Sequence, residues 1–573
     1  MPNFFTDNED LKFHFNRFDL REILEIQEDN YEQKNEFDYA PENYEDAMIN
    51  LEKTLELIGD ISGNKIAERA ASVDEEGVHF KDGVVTYAKG TIQNLKELAQ
   101  ADLIGMILPR KYGGLNAPIT IYMAAAEIMA RADGGLTNIF GLQDIADMIK
   151  KYGTEEQKAK YIPKFTTGEH TGAMALTEPD AGSDLQACKL RASQDENGQW
   201  RLNGMKRFIT NGNGNVHLVL SRTEAGTKDG RGLSMLACYN DDTVVVRRIE
   251  NKLGIHGSPT CELQYNNTPA ELIGNRRFGL IKYTIDLMFR ARLGVAAQAL
   301  GISQAAYEEA LKYSKEREQF GKTIYEIPAV KNILLDMRVQ LETGRSVLYD
   351  TAKLVDLKEK LEGKLEVLKA AGESTKEIGD RLKELTKVAN LLTPILKYIT
   401  TEAANKITYD AIQIHGGTGY MKEFPVERFA RDARITNIYE GTSQLQIVAA
   451  IGGVINDILK DDFDKKAAKT YSGGLERLNG FLKEIREIFY ESLKYVVDRK
   501  DSVFQEVAAK DLVELYSYIY TGYLVLEEAE ELPRKKFIAN RYIVTSLANA
   551  KKNAESIKNE LFSDLLHADE ILI

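Results

Sequence analysis

Cysteine is nearly absent from the 573-residue chain: only Cys188, Cys238 and Cys261 occur, far apart and without a C-x-x-C pair. That pattern excludes a disulfide framework and a zinc knuckle, and it suits a reducing cytoplasm. Basic charge is also short, with 74 Lys and Arg against 88 Asp and Glu and a net charge of −14. Sequence-independent nucleic-acid binding draws its energy from phosphates neutralised by Lys and Arg, so this balance argues against it. No apolar run approaches the roughly 18 residues a membrane span needs. The N-terminus, MPNFFTDNEDLKFHF, has no basic segment leading into an apolar one, so no secretion signal is expected. Missing too are a G-x-G-x-x-G following a strand, a P-loop, an internal repeat and a low-complexity tract.

What is present is the composition of ordinary packed cores, 43% hydrophobic, over a length that allows several domains. Residues 1–45 form an acidic, aromatic-bearing extension in which Thr6 and Glu9 have capping-box spacing, which predicts a short docked helix and an irregular strap. Over 46–171 apolar residues recur at helical spacing, and Thr154 to Gln157 repeats the capping box, so this block is read as all-helical. From 172 to 280 come short β-branched and aromatic runs, separated by turns at Asn197-Gly198, Asn203-Gly204 and Asn211-Gly212. Those signals predict a compact, mostly antiparallel β domain. Helical periodicity returns over 281–455, with a Lys/Glu-rich stretch at 355–390 whose i,i+4 charge pairs suggest a solvated helical hairpin. Residues 456–573 read as a further helical domain.

Four segments could carry chemistry. Met174-Ala-Leu-Thr-Glu-Pro-Asp-Ala-Gly-Ser-Asp184 reads as a strand and a Gly-containing loop, and Pro, Asp and Gly equally suit a plain turn. Arg317-Glu-Gln-Phe-Gly-Lys322 follows a helix beginning near Phe289 and, taken alone, is an ordinary charged helix end. Gln413-Ile-His-Gly-Gly-Thr-Gly-Tyr420 is a Gly-rich turn of the kind that lets backbone N–H groups approach a phosphate. In Ile438-Tyr-Glu-Gly-Thr-Ser-Gln444 a carboxylate precedes a helix-like run from Leu445 to Ile451, where a helix dipole alone would favour it.

Together, in this order and at these separations, the four segments resemble the acyl-CoA dehydrogenase family over residues from about 60 to 455. The resemblance implies an α+β fold: an N-terminal α-domain, a middle β-domain and a C-terminal four-helix bundle, here with an additional C-terminal helical domain. The insertion at 355–390 and the added domain look like the long subfamily that includes the very-long-chain and methylmercaptopropionyl-CoA enzymes, which implies a homodimer. FAD is the implied cofactor. Matching positions imply that Met174, Leu176 and Thr177 line the isoalloxazine edge, with Phe208, Ile209 and Thr210 packing against and bonding to it. Arg317 and Phe320 would reach the FAD of the partner subunit, Gln413 and Gly417 its diphosphate, and Thr442 and Gln444 the cofactor beside the active site. Ser183, Arg292, Tyr439 and Gly441 would meet the acyl-CoA substrate.

The same resemblance makes Glu440 the catalytic base. It would remove the α-proton while a hydride leaves the β-carbon for the flavin, giving a trans-2-enoyl-CoA. A thioester α-proton is too weakly acidic for a solvated carboxylate, so the site must shield the base from water and stabilise the enolate. Some members keep the base instead just before the position of Arg292, where this chain has Ala291. Two departures are Phe208, where many members carry Trp, and His256, where they carry Arg; His256 is read as a loop residue near the substrate and not as an acid or base. Electron-transfer flavoprotein is the implied electron acceptor. An acyl-CoA oxidase, or a non-catalytic assembly or DNA-binding relative, is the alternative.

Overall fold

The computed structural model describes residues 2–573, the side chain of residue 566 excepted. The chain divides into two compact units: Met1–Tyr313 with Ala411–Thr436, and Ser314–Asp410 with Asn437–Ile573.

The first unit begins with the extension, which is more regular than its composition suggests: helices Glu9–Arg17 and Arg21–Gln27 and a short 3-10 turn at Glu32–Asn35. Its first helix is capped by Asn8, whose side chain accepts from Leu11 N, and not by Thr6. Asn is as good a cap as Thr and sits directly before the first helical residue. The extension is docked by Phe5, fully buried, and by Asp7, which pairs with Arg131 at 2.7 Å. Burial of such a ring stabilises by roughly 2–3 kcal/mol. Arg131 closes the helix Ile119–Ala132, every residue of which is buried, so this helix forms the centre of the helical block.

That block is not wholly helical. A small hairpin, β1 (His79–Lys81) and β2 (Val84–Thr86), turns at Asp82-Gly83, both with positive φ. The expected capping box at Thr154 is present: Thr154 Oγ1 accepts from Gln157 N at 3.2 Å and Gln157 Oε1 from Thr154 N at 3.0 Å, opening the helix Glu155–Thr166.

The β domain contains β3 (Gly172–Ala175), β4 (Arg191–Gln194), β5 (Trp200–Thr210), β6 (Val216–Arg222), β7 (Leu233–Tyr239), β8 (Val244–Ile249) and β9 (Thr260–Leu272). β6 runs parallel to β3 and β4, and every other pairing is antiparallel. The path β6, β4, β5, β9, β7 returns to β6, so the sheet closes on a core that includes Leu202, Val219, Leu236 and Tyr265. Closure removes the exposed edges that an open sheet must protect. All three cysteines lie buried and unbridged in this domain. Asn197-Gly198 and Asn211-Gly212 are turns, as expected, but Asn203-Gly204 lies inside β5, where the register with β9 shifts. There Gly204 (φ +142°) passes so close to Leu190 that an added Cβ would lie 3.0 Å from its Cα. The Asn-Gly pair therefore marks a bulge.

In the second unit a two-residue-stranded hairpin, β10 (Glu318–Gln319) and β11 (Lys322–Thr323), precedes the helix Pro328–Ala371, which Pro328 opens. The chain turns at Gly372 (φ +71°) into the helix Lys376–His415, whose residues to Asp410 belong to this unit. The charged stretch is the tip of this hairpin, laced by pairs such as Lys369–Glu366 and Lys383–Asp380. The final helices, Leu475–Asp498, Ser502–Glu531 and Lys535–Lys558, pack on one another, and the last two also pack against Pro328–Ala371. Lys535, without solvent exposure, sits 3.0 Å from Glu342 and 3.1 Å from Glu528 and ties the last domain to the long helix. Among the described residues no helix is long and apolar enough to cross a membrane.

Candidate active site

In the first unit the segments 172–177 and 206–211 lie side by side in opposite directions. Asn211 Nδ2 donates to Gly172 O at 2.9 Å, Lys206 Nζ to Leu176 O at 2.7 Å, and Arg207 N to Thr177 O at 2.9 Å. Met174, Leu176, Thr177, Phe208, Ile209 and Thr210 are thereby brought together. Within β5, Lys206 pairs with Leu263 and Ile209 with Cys261, so β5 carries one residue too many. This second bulge resets the inward-outward alternation, placing Ile209 in the core and turning Phe208 (φ +59°) outward at 53% exposure. A bulky residue with positive φ is a strained choice, and strain of this kind collects at functional sites.

Ser183 is exposed, just beyond the tight turn in which Glu178 and Ala181 exchange main-chain hydrogen bonds of 3.0 and 3.1 Å. Arg292 lies partly buried on the helix Ile285–Glu316, which begins slightly before the expected Phe289. Gln413 and Gly417 are exposed at the end of Lys376–His415 and in the turn Gly416–Tyr420, where Gly416 has φ +61°. The His415 ring stacks on Tyr313 with centroids 4.2 Å apart, and Tyr313 Oη meets Thr418 Oγ1 at 3.0 Å, so the turn is fixed from beneath. His256 lies half-buried in the loop between β8 and β9. Its Nδ1 lies 3.0 Å from the Asp74 carboxylate, which also binds Arg431 at 2.6 Å, and its Nε2 lies 3.0 Å from Lys252 O.

In the second unit Phe320 stands at the tip of the 318–323 hairpin with 91% exposure, and Phe320-Gly321 takes two successive positive φ values. Arg317, exposed, enters the same hairpin. The segment Asn437–Ser443 holds Tyr439, Glu440 and Gly441. Glu440 (φ +55°) and Gly441 (φ +91°) are both left-handed, and Glu440 is partly buried. A Cβ on residue 441 would also meet Gln446 Nε2 at 2.7 Å, so glycine is required there by backbone and by space. Thr442 caps the helix Ser443–Ile455, accepting from Leu445 N, and Gln444 is exposed on its first turn.

Sequence reasoning missed the residues that hold this loop. Lys397, fully buried, donates to Gly441 O at 2.7 Å, and buried Gln446 donates to Gly441 O at 2.8 Å and Glu440 O at 3.2 Å. Glu402 accepts from Asn437 Nδ2 at 3.0 Å and from Ser443 Oγ. The available signal was a lysine in the otherwise uncharged run Leu391 to Ile399, since lysine is almost never fully buried without a partner.

Family profiles of the acyl-CoA dehydrogenase N-terminal, middle and C-terminal domains match residues 52–169, 173–268, and 281–386 with 376–451. An acyl-CoA dehydrogenase of Bacillus subtilis is 35% identical over 361 residues, 62% of this chain and 87% of that relative. The chain belongs to the acyl-CoA dehydrogenase family. The 3-methylmercaptopropionyl-CoA dehydrogenase of Ruegeria pomeroyi is 32% identical over 428 residues, 70% of this chain and 69% of that one. A crystal structure of an acyl-CoA dehydrogenase complexed with FAD from Bacillus anthracis matches with TM-score 0.74, covering 91% of this chain and 89% of that chain. At 22% identity it shows the fold, and its coverage reaches beyond the part matched by the profiles. As a member of this family the chain is an enzyme, an FAD-dependent oxidoreductase of acyl-CoA thioesters.

Proposed function

We propose that the chain oxidises a saturated acyl-CoA to its trans-2-enoyl-CoA with Glu440 as the base, as in fatty-acid β-oxidation. The observation that carries this reading is the Glu440-Gly441 pair, held in a strained left-handed conformation by Lys397 and Gln446. Strain of order 1 kcal/mol or more at a glutamate persists only where surrounding bonds over-determine the backbone. Such bonds fix where the carboxylate begins and let it take the α-proton from a defined direction. The Glu440 N–H serves as a donor to the thioester oxygen as negative charge develops there.

The residues also fit a flavin. Phe208 offers an exposed apolar ring next to Thr210 in sequence, and hydrogen bonds hold its strand alongside the segment that carries Met174, Leu176 and Thr177. FAD, when bound, supplies the acceptor for the hydride that leaves the β-carbon. Thr442 and Gln444 are its further holders in this reading, Gln413 and Gly417 meet the diphosphate of a partner subunit's FAD, and Ser183, Arg292, Tyr439 and Gly441 meet the substrate. Arg317 and Phe320 reach the FAD of a partner in a homodimer, which accounts for an almost fully exposed aromatic at a hairpin tip. Electron-transfer flavoprotein is the electron acceptor and the cytoplasm the compartment in this proposal.

The test is an anaerobic titration of the yellow protein with a panel of acyl-CoAs, followed by turnover with an artificial electron acceptor. Flavin bleaching and formation of the 2-enoyl product are expected for at least one chain length. Absence of bleaching with every acyl-CoA would overturn the reading in favour of a non-catalytic relative.

A further inference from the structure

Beneath the segments 174–177 and 208–210 lies an ion pair that no step above uses. Lys206, on β5, has no solvent exposure, and Glu178, in the turn after β3, is 6% exposed, yet both are charged residue types. The ammonium has an acceptor for each N–H: Glu178 Oε1 at 2.9 Å, Leu176 O at 2.7 Å and Cys188 Sγ at 3.8 Å. The carboxylate accepts in addition from Lys189 N at 2.6 Å and Leu190 N at 3.0 Å. A buried pair is retained at a desolvation cost that apolar residues would avoid, and a fixed local geometry is one reason to keep it. Here the geometry is specific. Glu178 follows Thr177 directly, Lys206 leads into the bulge that turns Phe208 outward, and the Lys206–Leu176 bond crosses between the two strands.

We infer that Lys206 and Glu178 are positioning residues for the flavin: the pair locks the two ring-contacting segments in register and keeps the region beneath them electrically neutral. The inference rests on the flavin reading of residues 174–177 and 208–210. Reduction adds negative charge to the flavin, and charges inside a protein interact through a low effective dielectric. Lys206→Met would leave the Glu178 carboxylate, still held by two main-chain N–H groups, so reduction becomes harder. Glu178→Gln would leave the Lys206 ammonium on Leu176 O, so reduction becomes easier.

The experiment measures the flavin midpoint potential and the FAD dissociation constant for the parent holoenzyme, Lys206→Met, Glu178→Gln and the double variant. The potential is expected to fall in Lys206→Met, rise in Glu178→Gln and return to near the parent value in the double variant, where a neutral pair replaces a charged one. FAD affinity is expected to weaken about tenfold in each single variant. Single-variant potentials equal to the parent, or displaced in the same direction, would overturn the inference, because a purely structural pair gives no opposition of sign. If Lys206→Met does not fold, the rise in Glu178→Gln and its reversal in the double variant decide the matter. A parent protein that binds no FAD defeats the flavin reading itself, whereas a parent that binds FAD with no split in its variants defeats only this inference.

Discussion

The ammonium of Lys397, fully buried on the helix Lys376–His415, donates to the carbonyl oxygen of Gly441 at 2.7 Å. Lys397 and Gln446 thus hold the main chain next to Glu440 together, Gln446 donating to the same oxygen at 2.8 Å. Lys397→Met removes the charged donor and leaves the amide, so the loop stays folded with its left-handed step less firmly held. The expected result is kcat lower by roughly 10²-fold, the scale of a small misplacement of a catalytic group, with FAD content unchanged. Steady-state assay beside flavin stoichiometry checks this.

Phe320 packs against little of its own chain, at 91% exposure. Phe320→Ala is therefore expected to move stability by no more than about 0.5 kcal/mol, as for other surface changes. FAD affinity should weaken by about tenfold, ~1.4 kcal/mol, if the ring meets the cofactor of a partner subunit as proposed. Thermal denaturation and FAD titration of the apoprotein separate the two effects. Equal affinity in both proteins would remove Phe320 from the cofactor site.

Asp432 is buried, and desolvation, helped by the neighbouring Asp133, pushes its carboxyl up to about 7 despite the N–H of Ile255 that it accepts. Below about pH 4 it is protonated folded and unfolded, and costs nothing. Between about 4 and 7 only the unfolded chain ionises, so stability falls as pH rises, by roughly 1.4 kcal/mol per unit. Above 7 the penalty is complete. Asp432→Asn keeps an acceptor for Ile255, itself held at φ +49°, and removes the titration. The variant should gain stability over the parent between pH 5 and pH 8 in denaturant melts; parallel pH curves would contradict the assignment.

Much of this was legible in the sequence because local chemistry and tertiary structure agree. The Thr154 box opens a helix, and the turns at Asn197 and Asn211 end strands. The family motifs named residues that the sheet does bring together, since 174–177 and 208–210 are neighbours through Arg207 and Lys206. Legibility failed where one local signal has two outcomes. Asn203-Gly204 serves a bulge as well as a turn, and Asn8 outcompetes Thr6 as a cap by its position. The hairpin at 79–86 was hidden because short, exposed strands with Lys, Asp and Gly show little periodicity. Lys397 and Lys206 were hidden for a different reason: the residues that justify burying them are distant in sequence, so only the fold reveals the partners.

The most direct measurement is rapid-mixing absorbance of Glu440→Gln with a good acyl-CoA under anaerobic conditions. With Glu440 as the base, the expected result is a yellow protein with native FAD content that still binds the thioester, and flavin bleaching slower than the parent's by at least ~10³-fold, because the amide cannot accept the proton. Bleaching at the parent's rate would show that residue 440 is not the base.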